Sequence, residues 1–314
     1  MSQAVPLPTR KPDCNDPDIP VYATAVMDAV MPPPRTLNKD RSSRVILPKL
    51  KSKVMSNIEI NAMREQGFTS SLARDMTQNN ATFPLRIWVI DNSGSMNRPD
   101  GHRLVESATR KDVKVVSCTR WTEIQQTVDY HVQMAALLQA PTVFRLLNDP
   151  GRAVGPQQFS VGENGPDNLD HEVALAQSVM LNATPAGVTP LVAHILEIRQ
   201  NLLNLEPTLR QDGTKVAIIL ATDGLPTDGF GTCNDSTKRD LVNALKSLEG
   251  LPVWVVIRLC TDEEDVVEFY NSLDSQLELS LEVLDDFMEE AKEVYEHNKW
   301  LNYALPLHRC REMD

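Results

Sequence analysis

A chain of 314 residues with a formal net charge of -12, from 31 Lys and Arg against 43 Asp and Glu, is a poor match for nucleic-acid phosphates. Aromatic residues are only 5% of the chain, too few for a base-stacking platform, while 41% hydrophobic and 24% charged residues suit a soluble globular protein of one or two domains. The five cysteines, Cys14, Cys118, Cys233, Cys260 and Cys310, show no zinc or disulfide spacing. The opening MSQAVPLPTRKPDCND has no signal-peptide core, and LPVWVVI (251–257) is too short to span a bilayer, so a reduced, cytoplasmic protein is expected.

In chain order, residues 1–56 read as a disordered, proline-rich basic tail, with Lys49, Lys51 and Lys53 near its end and one apolar stretch, IPVYATAVM (19–27), long enough to dock. Residues 57–82 read as a helical lead-in of two short helices broken at Gly67 and packed on the main domain. After Pro84, LRIWVID (85–91) has the continuous apolar character of a buried parallel strand. Residues 97–118 fit a β-hairpin, HRLVE and VKVVSC around TRKD. A helix is expected over 119–140, strands over 141–148 and 157–162, and a helix over 168–181 capped by Asn168. The long helix 189–205 opens with Thr189 and Pro190 as cap and first-turn residues. Strand 214–223, helix 235–249, strand 252–260, helix 263–273, strand 277–283 and helix 285–297 come next, with 298–314 as a tail. The closing region from Asp262 to Glu296 is acidic, the pattern of a solvated helix face. Alternating strands and helices predict an α/β fold, a doubly wound and mostly parallel sheet flanked by helices. Such sheets bind ligands beyond the carboxyl ends of their strands.

Three segments place small oxygen ligands at those ends: DNSGSM (91–96), AGVTPL (186–191) and ATDGLPTD (221–228). Hydroxyls from Ser93, Ser95 and Thr189, with carboxylates from Asp91 and Asp223, form an all-oxygen set suited to a hard cation that keeps several waters. If the hydroxyls bind directly and the carboxylates hold waters, the ion keeps much of its charge and favours an anionic sixth ligand. No nucleophile or general base accompanies them, so binding rather than catalysis is expected. There is also no P-loop motif for ATP.

D-N-S-G-S, then T-P-L, then T-D-G in this order resembles the von Willebrand factor A domain and its metal-ion-dependent adhesion site, over residues 83–297. The resemblance implies direct ligation by Ser93, Ser95 and Thr189, water-mediated roles for Asp91 and Asp223, and Mg²⁺ (or Mn²⁺ or Ca²⁺) as the ion. It implies a protein partner that donates an Asp or Glu carboxylate to the metal. Asn92, Gly94, Met96, His102, Gly224 and Leu225 would form the surface that partner meets. In the family the first helix usually comes almost at once after the first motif; here the insertion 97–118 intervenes. Intracellular members mostly serve in multiprotein complexes, so the expected function is a metal-dependent scaffold. The alternatives are an accessory subunit of an ATPase or ubiquitin-ligase complex, or a membrane-surface binder acting through the basic tail.

Overall fold

The computed structural model describes residues 56–106 and 113–313. The basic tail over 1–55 and its docking stretch at 19–27 lie outside the described residues. The helical lead-in, the main sheet with its helices and the candidate site residues all belong to one compact unit by contacts.

The lead-in is two helices, α1 (Asn57–Glu65) and α2 (Ser70–Thr82). Ser56 and Glu59 form a capping box at α1, and Thr69 caps α2 by accepting from the Leu72 N–H at 3.1 Å. Gly67, at φ +93°, supplies the left-handed turn between them. Met63, Phe68, Ala73 and Met76 are buried in one cluster with Met134, Leu138, Ala140 and Met313. The lead-in therefore packs on the main domain.

The main domain is a six-stranded sheet with helices on both faces. Its strands are β1 (Leu85–Ile90), β4 (Thr142–Leu146), β5 (Gln158–Val161), β6 (Val216–Thr222), β7 (Val253–Leu259) and β8 (Leu281–Leu284), in the order β5-β4-β1-β6-β7-β8. All neighbours are parallel except the β4–β5 edge pair. Every residue of β1 and β6 is buried, as their apolar runs require when both faces are covered. Alternation along the strands sorts the core into two layers. Ile87, Val89, Ile218, Leu220, Val255 and Ile257 pack against α5 (Leu191–Asp212), α6 (Asp235–Lys246) and α7 (Glu264–Asp274). Trp88, Ile90, Ile219, Ala221 and Val256 face α3 (Arg120–Leu138) and α4 (Leu169–Asn182). Each fully buried Ile or Leu contributes about 1.5–3 kcal/mol by leaving water. Successive connections carry the chain outward from β1 in both directions, so strand order reverses there. The ends of β1 and β6 thus open a crevice at a topological switch point.

The inserted stretch forms a two-stranded sheet, β2 (Gly101–Glu106) with β3 (Val113–Cys118). Other elements depart from the sequence reading. The long helix begins at Leu191 behind an N-cap at Pro190, not at Thr189, and runs past Pro207 to a left-handed cap at Gly213. Asn168 sits at the N-cap of α4 but makes no side-chain cap; its amide donates to the Asn164 carbonyl at 3.0 Å. The strand expected over 277–283 is confined to Leu281–Leu284.

The last segment is no tail. After α8 (Phe287–His297) the chain forms α9 (Leu305–Arg311), and Glu312 beyond it is fully buried. Its Oε2 accepts from Arg309 at 2.7 Å and meets His131 Nε2 at 2.9 Å. Arg258 and His308 stand 3.5 and 3.4 Å from Oε1. Burial alone would raise this carboxyl's pKa; Arg309 and the hydrogen bonds from His131 and His308 hold it well below the usual range. Burial keeps the His131 pKa low, so that ring serves as a hydrogen-bonding partner more than as a cation. A charged, short closing segment reads as solvated because its partners, on α3 and β7, lie far away in sequence.

Candidate metal centre

The site begins with β1, whose last residue leads into Asp91. Asp91 Oδ1 accepts the Ser93 N–H at 2.8 Å, closing a tight turn, and Oδ2 accepts the Thr222 hydroxyl at 2.7 Å. The turn directs the Ser93 hydroxyl to the Ser95 hydroxyl, 3.0 Å away. Ser95 in turn donates to Asp223 Oδ1 at 2.8 Å, although 128 positions separate them. The first and third motifs are therefore joined by side-chain hydrogen bonds. Asp91, Ser93, Thr189 and Asp223 are all buried, at 0–4% exposure, and Ser95 is partly open.

The second motif is held by backbone and amide contacts. Thr189 donates its N–H to the Thr227 hydroxyl at 2.9 Å, and its carbonyl accepts the Thr227 N–H at 3.1 Å. Its own hydroxyl caps no helix, since that place falls to Pro190. The hydroxyl lies 4.0 Å from the point a Cβ on Gly224 would occupy, beside Asp223. Gly94 N–H reaches the Gly187 carbonyl at 3.3 Å, and Ala186 N–H the Asn92 carbonyl at 2.8 Å, tying the first loop to the second. Gly187, at φ +94°, leaves room for Asn148, whose Oδ1 would lie 2.5 Å from any Cβ there. Asn148 bridges the loops: its N–H donates to Asn92 Oδ1 at 2.8 Å and its Nδ2 to the Val188 carbonyl at 2.8 Å.

Electrostatics favour a cation here. Burial, then the charge of Asp223, raises the Asp91 pKa to about 6 against the pull of hydrogen bonds from Ser93 and Thr222. Burial also raises Asp223, while Ser95 and Arg120 pull it down. Two buried carboxylates, the charge of Asp223 disfavouring that of Asp91, with the Ser93 and Ser95 hydroxyls hydrogen-bonded in a string to Asp223, fit a hard divalent ion. Ser93, Ser95 and Thr189 would hold it, with Asp91 and Asp223 behind them. Among the described residues, a cavity of about 30 Å³ beside His102, Glu123 and Asp286 and one of about 610 Å³ beside Asn271, Glu290 and Arg311 are lined by none of the five site residues. Donor chemistry, not concavity, marks the site.

Of the expected partner-facing residues, Asn92 and Met96 are buried, at 1% and 0% exposure. The Asn92 amide is spent on Asn148, and Met96 packs in the core layer with Trp88 and Trp121. Leu225 packs against the opposite layer. His102 turns to Asp286, its Nδ1 3.8 Å from Oδ2, and with Asp262 forms a group of ligand atoms within 4.8 Å of one another that includes none of the five site residues. Gly94 and Gly224 remain at the site, Gly224 with its carbonyl accepting from buried Tyr270 at 2.9 Å. Asp228 accepts the Phe230 and Thr232 N–H groups at 2.9 Å each and so shapes the next turn. That turn leaves Phe230 95% exposed, with Gly231 against Val188 next to Thr189.

Sequence reasoning missed Thr222, Asn148, Phe230 and, above all, Arg120. Arg120 is the first residue of α3, with 1% of its side chain exposed. Nη1 donates to Asp223 Oδ2 at 3.0 Å, Nε and Nη2 to Asp100 at 2.7 and 2.6 Å, and Nη2 to Glu263 at 2.7 Å. Burial opposes its charge; the carboxylates of Asp100, Glu263 and Asp223 outweigh burial and raise its pKa. Glu263 also pairs with Arg98. An arginine just after a helix cap carries no sequence signal of this kind.

No family model matches the chain, and no curated protein matches it. Among solved structures it is similar to the D319A mutant of the PilB minor pilin from Streptococcus sanguinis, at 13% identity and a TM-score of 0.42, covering 73% of this chain and 62% of that one. The PilB minor pilin itself aligns at 13% identity and a TM-score of 0.40, over 68% of this chain and 60% of that one. The chain thus spans less than two thirds of either pilin, and likeness this slight carries no function across.

Proposed function

We propose that the protein is a von Willebrand factor A-type binding module that uses a divalent cation, Mg²⁺ first among candidates, to grip an Asp or Glu side chain of a partner protein. The observation that carries this reading is the hydrogen-bonded string Ser93–Ser95–Asp223, which gathers two separate motifs into one oxygen-lined site with Asp91 behind it. The mostly parallel sheet, with the site at the carboxyl ends of β1 and β6, supports the fold assignment. A cation held mainly through hydroxyls would keep charge for an incoming carboxylate. Phe230, 95% exposed on the turn whose Gly231 lies against Val188, would add an apolar contact. The reading is of binding without a reaction, in a cytoplasmic scaffold.

The test is retention of partners on the immobilised full-length chain. Mg²⁺-dependent capture that is lost in chelator and in Asp91→Ala and Thr189→Ala variants is the expected result. Capture indifferent to chelator and to both variants would refute it. Co-retention of an ATPase or a ubiquitin ligase would favour the accessory-subunit reading, and liposome flotation tests the membrane-surface alternative.

A further inference from the structure

We infer that the outer edge of β8 is a docking surface for an extended, basic segment of a partner protein, which joins the sheet as an added strand. None of the five candidate metal ligands lines this surface, so the inference stands apart from the cation-site reading.

The backbone comes first. β8 ends the strand order and, among the described residues, pairs with β7 alone. The Val255 N–H donates to the Ser280 carbonyl at 2.9 Å. Alternation along a parallel strand then aims Ser280, Glu282 and Leu284 at β7 and turns the N–H and C=O groups of Leu281 and Val283 outward. A strand laid along that edge meets ready donors and acceptors. There is also room for one. A groove of about 610 Å³ is lined by residues of α7, β8 and α8, with Leu281, Val283 and Val294 as its apolar part.

The charge of the groove selects its occupant. Its carboxylates are Asp274, Asp285, Glu290 and Glu293, and its one arginine is Arg311. Arg311 is already engaged: Nε donates to Glu282 Oε1 at 2.7 Å, and Nη1 pairs with Glu290. Among the described residues, no Lys or Arg pairs with Asp274, Asp285 or Glu293. Asp285 Oδ1 is buried and accepts no hydrogen bond. Burial, then the charges of Glu290 and Glu293, pushes the Asp285 pKa up to about 6, as expected in a field that nothing neutralises. A Lys or Arg side chain supplies the missing donor and the missing charge together. A second copy of this chain does not, because pairing β8 with β8 brings two acidic rims face to face. Leu281 and Val283 share one face of β8, while Glu282 on the other meets Arg311 and through it Glu290 of α8. The matching strand therefore alternates, with apolar residues beside Leu281 and Val283 and Lys or Arg between them, toward α8.

The experiment is fluorescence anisotropy of a fluorescein-labelled peptide, VKVRVK, with the full-length chain. The control is the same peptide N-methylated at every backbone amide, which keeps the charge and removes strand pairing. The plain peptide is expected to bind at least about tenfold more tightly than the control. Val283→Pro removes an outward N–H and no bond to β7, and is expected to weaken binding about tenfold. Asp274→Asn with Glu293→Gln, both at exposed helix positions, is expected to weaken it about threefold, and carries the test if Val283→Pro fails to fold. Equal affinity for the two peptides, binding of neither, or binding that the folded variants leave unchanged overturns the inference. Binding that appears only once Lys49, Lys51 and Lys53 are all changed to Gln assigns the edge to the chain's own basic tail, and overturns the partner. A dimer in sedimentation that Val283→Pro separates assigns the edge to a second copy, and overturns it too.

Discussion

Replacing Glu312 with Gln keeps shape and volume and removes one charge from the middle of the domain. The carboxylate is fully buried, with Arg309 at 2.7 Å, His131 at 2.9 Å and Arg258 at 3.5 Å. One arginine at such a distance attracts it by about 5 kcal/mol at an effective dielectric near 20. Much of that offsets the cost of taking the carboxylate from water, which the variant escapes, but the arginines stay in place with a counter-charge removed. Arg258 keeps Glu123 at 2.5 Å; among the described residues Arg309 keeps the Thr127 hydroxyl at 3.1 Å and the Tyr130 ring. Breaking a buried pair from one side typically costs about 3–5 kcal/mol, and Glu312→Gln is expected to lose that much in urea unfolding of the full-length chain. Because the Glu312 pKa is depressed in the fold, its contribution is present above the unfolded carboxyl's pKa and fades as pH falls through the lower folded value, so the gap between the two proteins should narrow in acid. A loss below about 1 kcal/mol at neutral pH would refute the claim that α9 is integral to the domain.

The site itself makes three further outcomes testable. Gly187→Ala places a methyl on a left-handed backbone and 2.5 Å from Asn148 Oδ1, so it should cost about 1–3 kcal/mol in thermal unfolding and, by displacing Thr189, weaken Mn²⁺ binding as well. Asp91 holds its proton up to about pH 6 without a cation, and its ionised form is the disfavoured one in the fold. Mn²⁺ affinity should therefore be level above about pH 7 and fall roughly tenfold per unit below 6, as proton and cation compete; the cation-free protein should gain stability from this group as pH falls over the same window. An affinity unchanged down to pH 5 would contradict the assignment. Phe230→Ser should leave stability within about 0.5 kcal/mol and Mn²⁺ affinity unchanged, while weakening capture of the partner.

The sheet was legible because short continuous apolar runs rich in Val and Ile, such as LRIWVI and VAIILAT, suit strands buried on both faces. Five candidate site residues stand out in the sequence because three motifs fall at strand ends or beside a helix start, and the structure links Asp91, Ser93, Ser95 and Asp223 by hydrogen bonds. What surrounds them was not legible. Thr189 reads as a cap, since Thr before Pro usually is one, yet its backbone is claimed by Thr227 and the cap passes to Pro190. Asn92 and Met96 read as exposed loop residues, and the turn folds them inward against Asn148 and Trp121. Arg120 and Glu312 acquire their roles only from partners on distant elements, a dependence that local pattern does not encode.

The central claim is tested most directly by titrating the full-length chain with Mg²⁺ and Mn²⁺, in the presence of acetate, beside a Ser93→Ala, Ser95→Ala double variant. One saturable site, lost in the folded variant, is the predicted result. No saturable binding in the unaltered protein, or binding that survives loss of both hydroxyls, would contradict it.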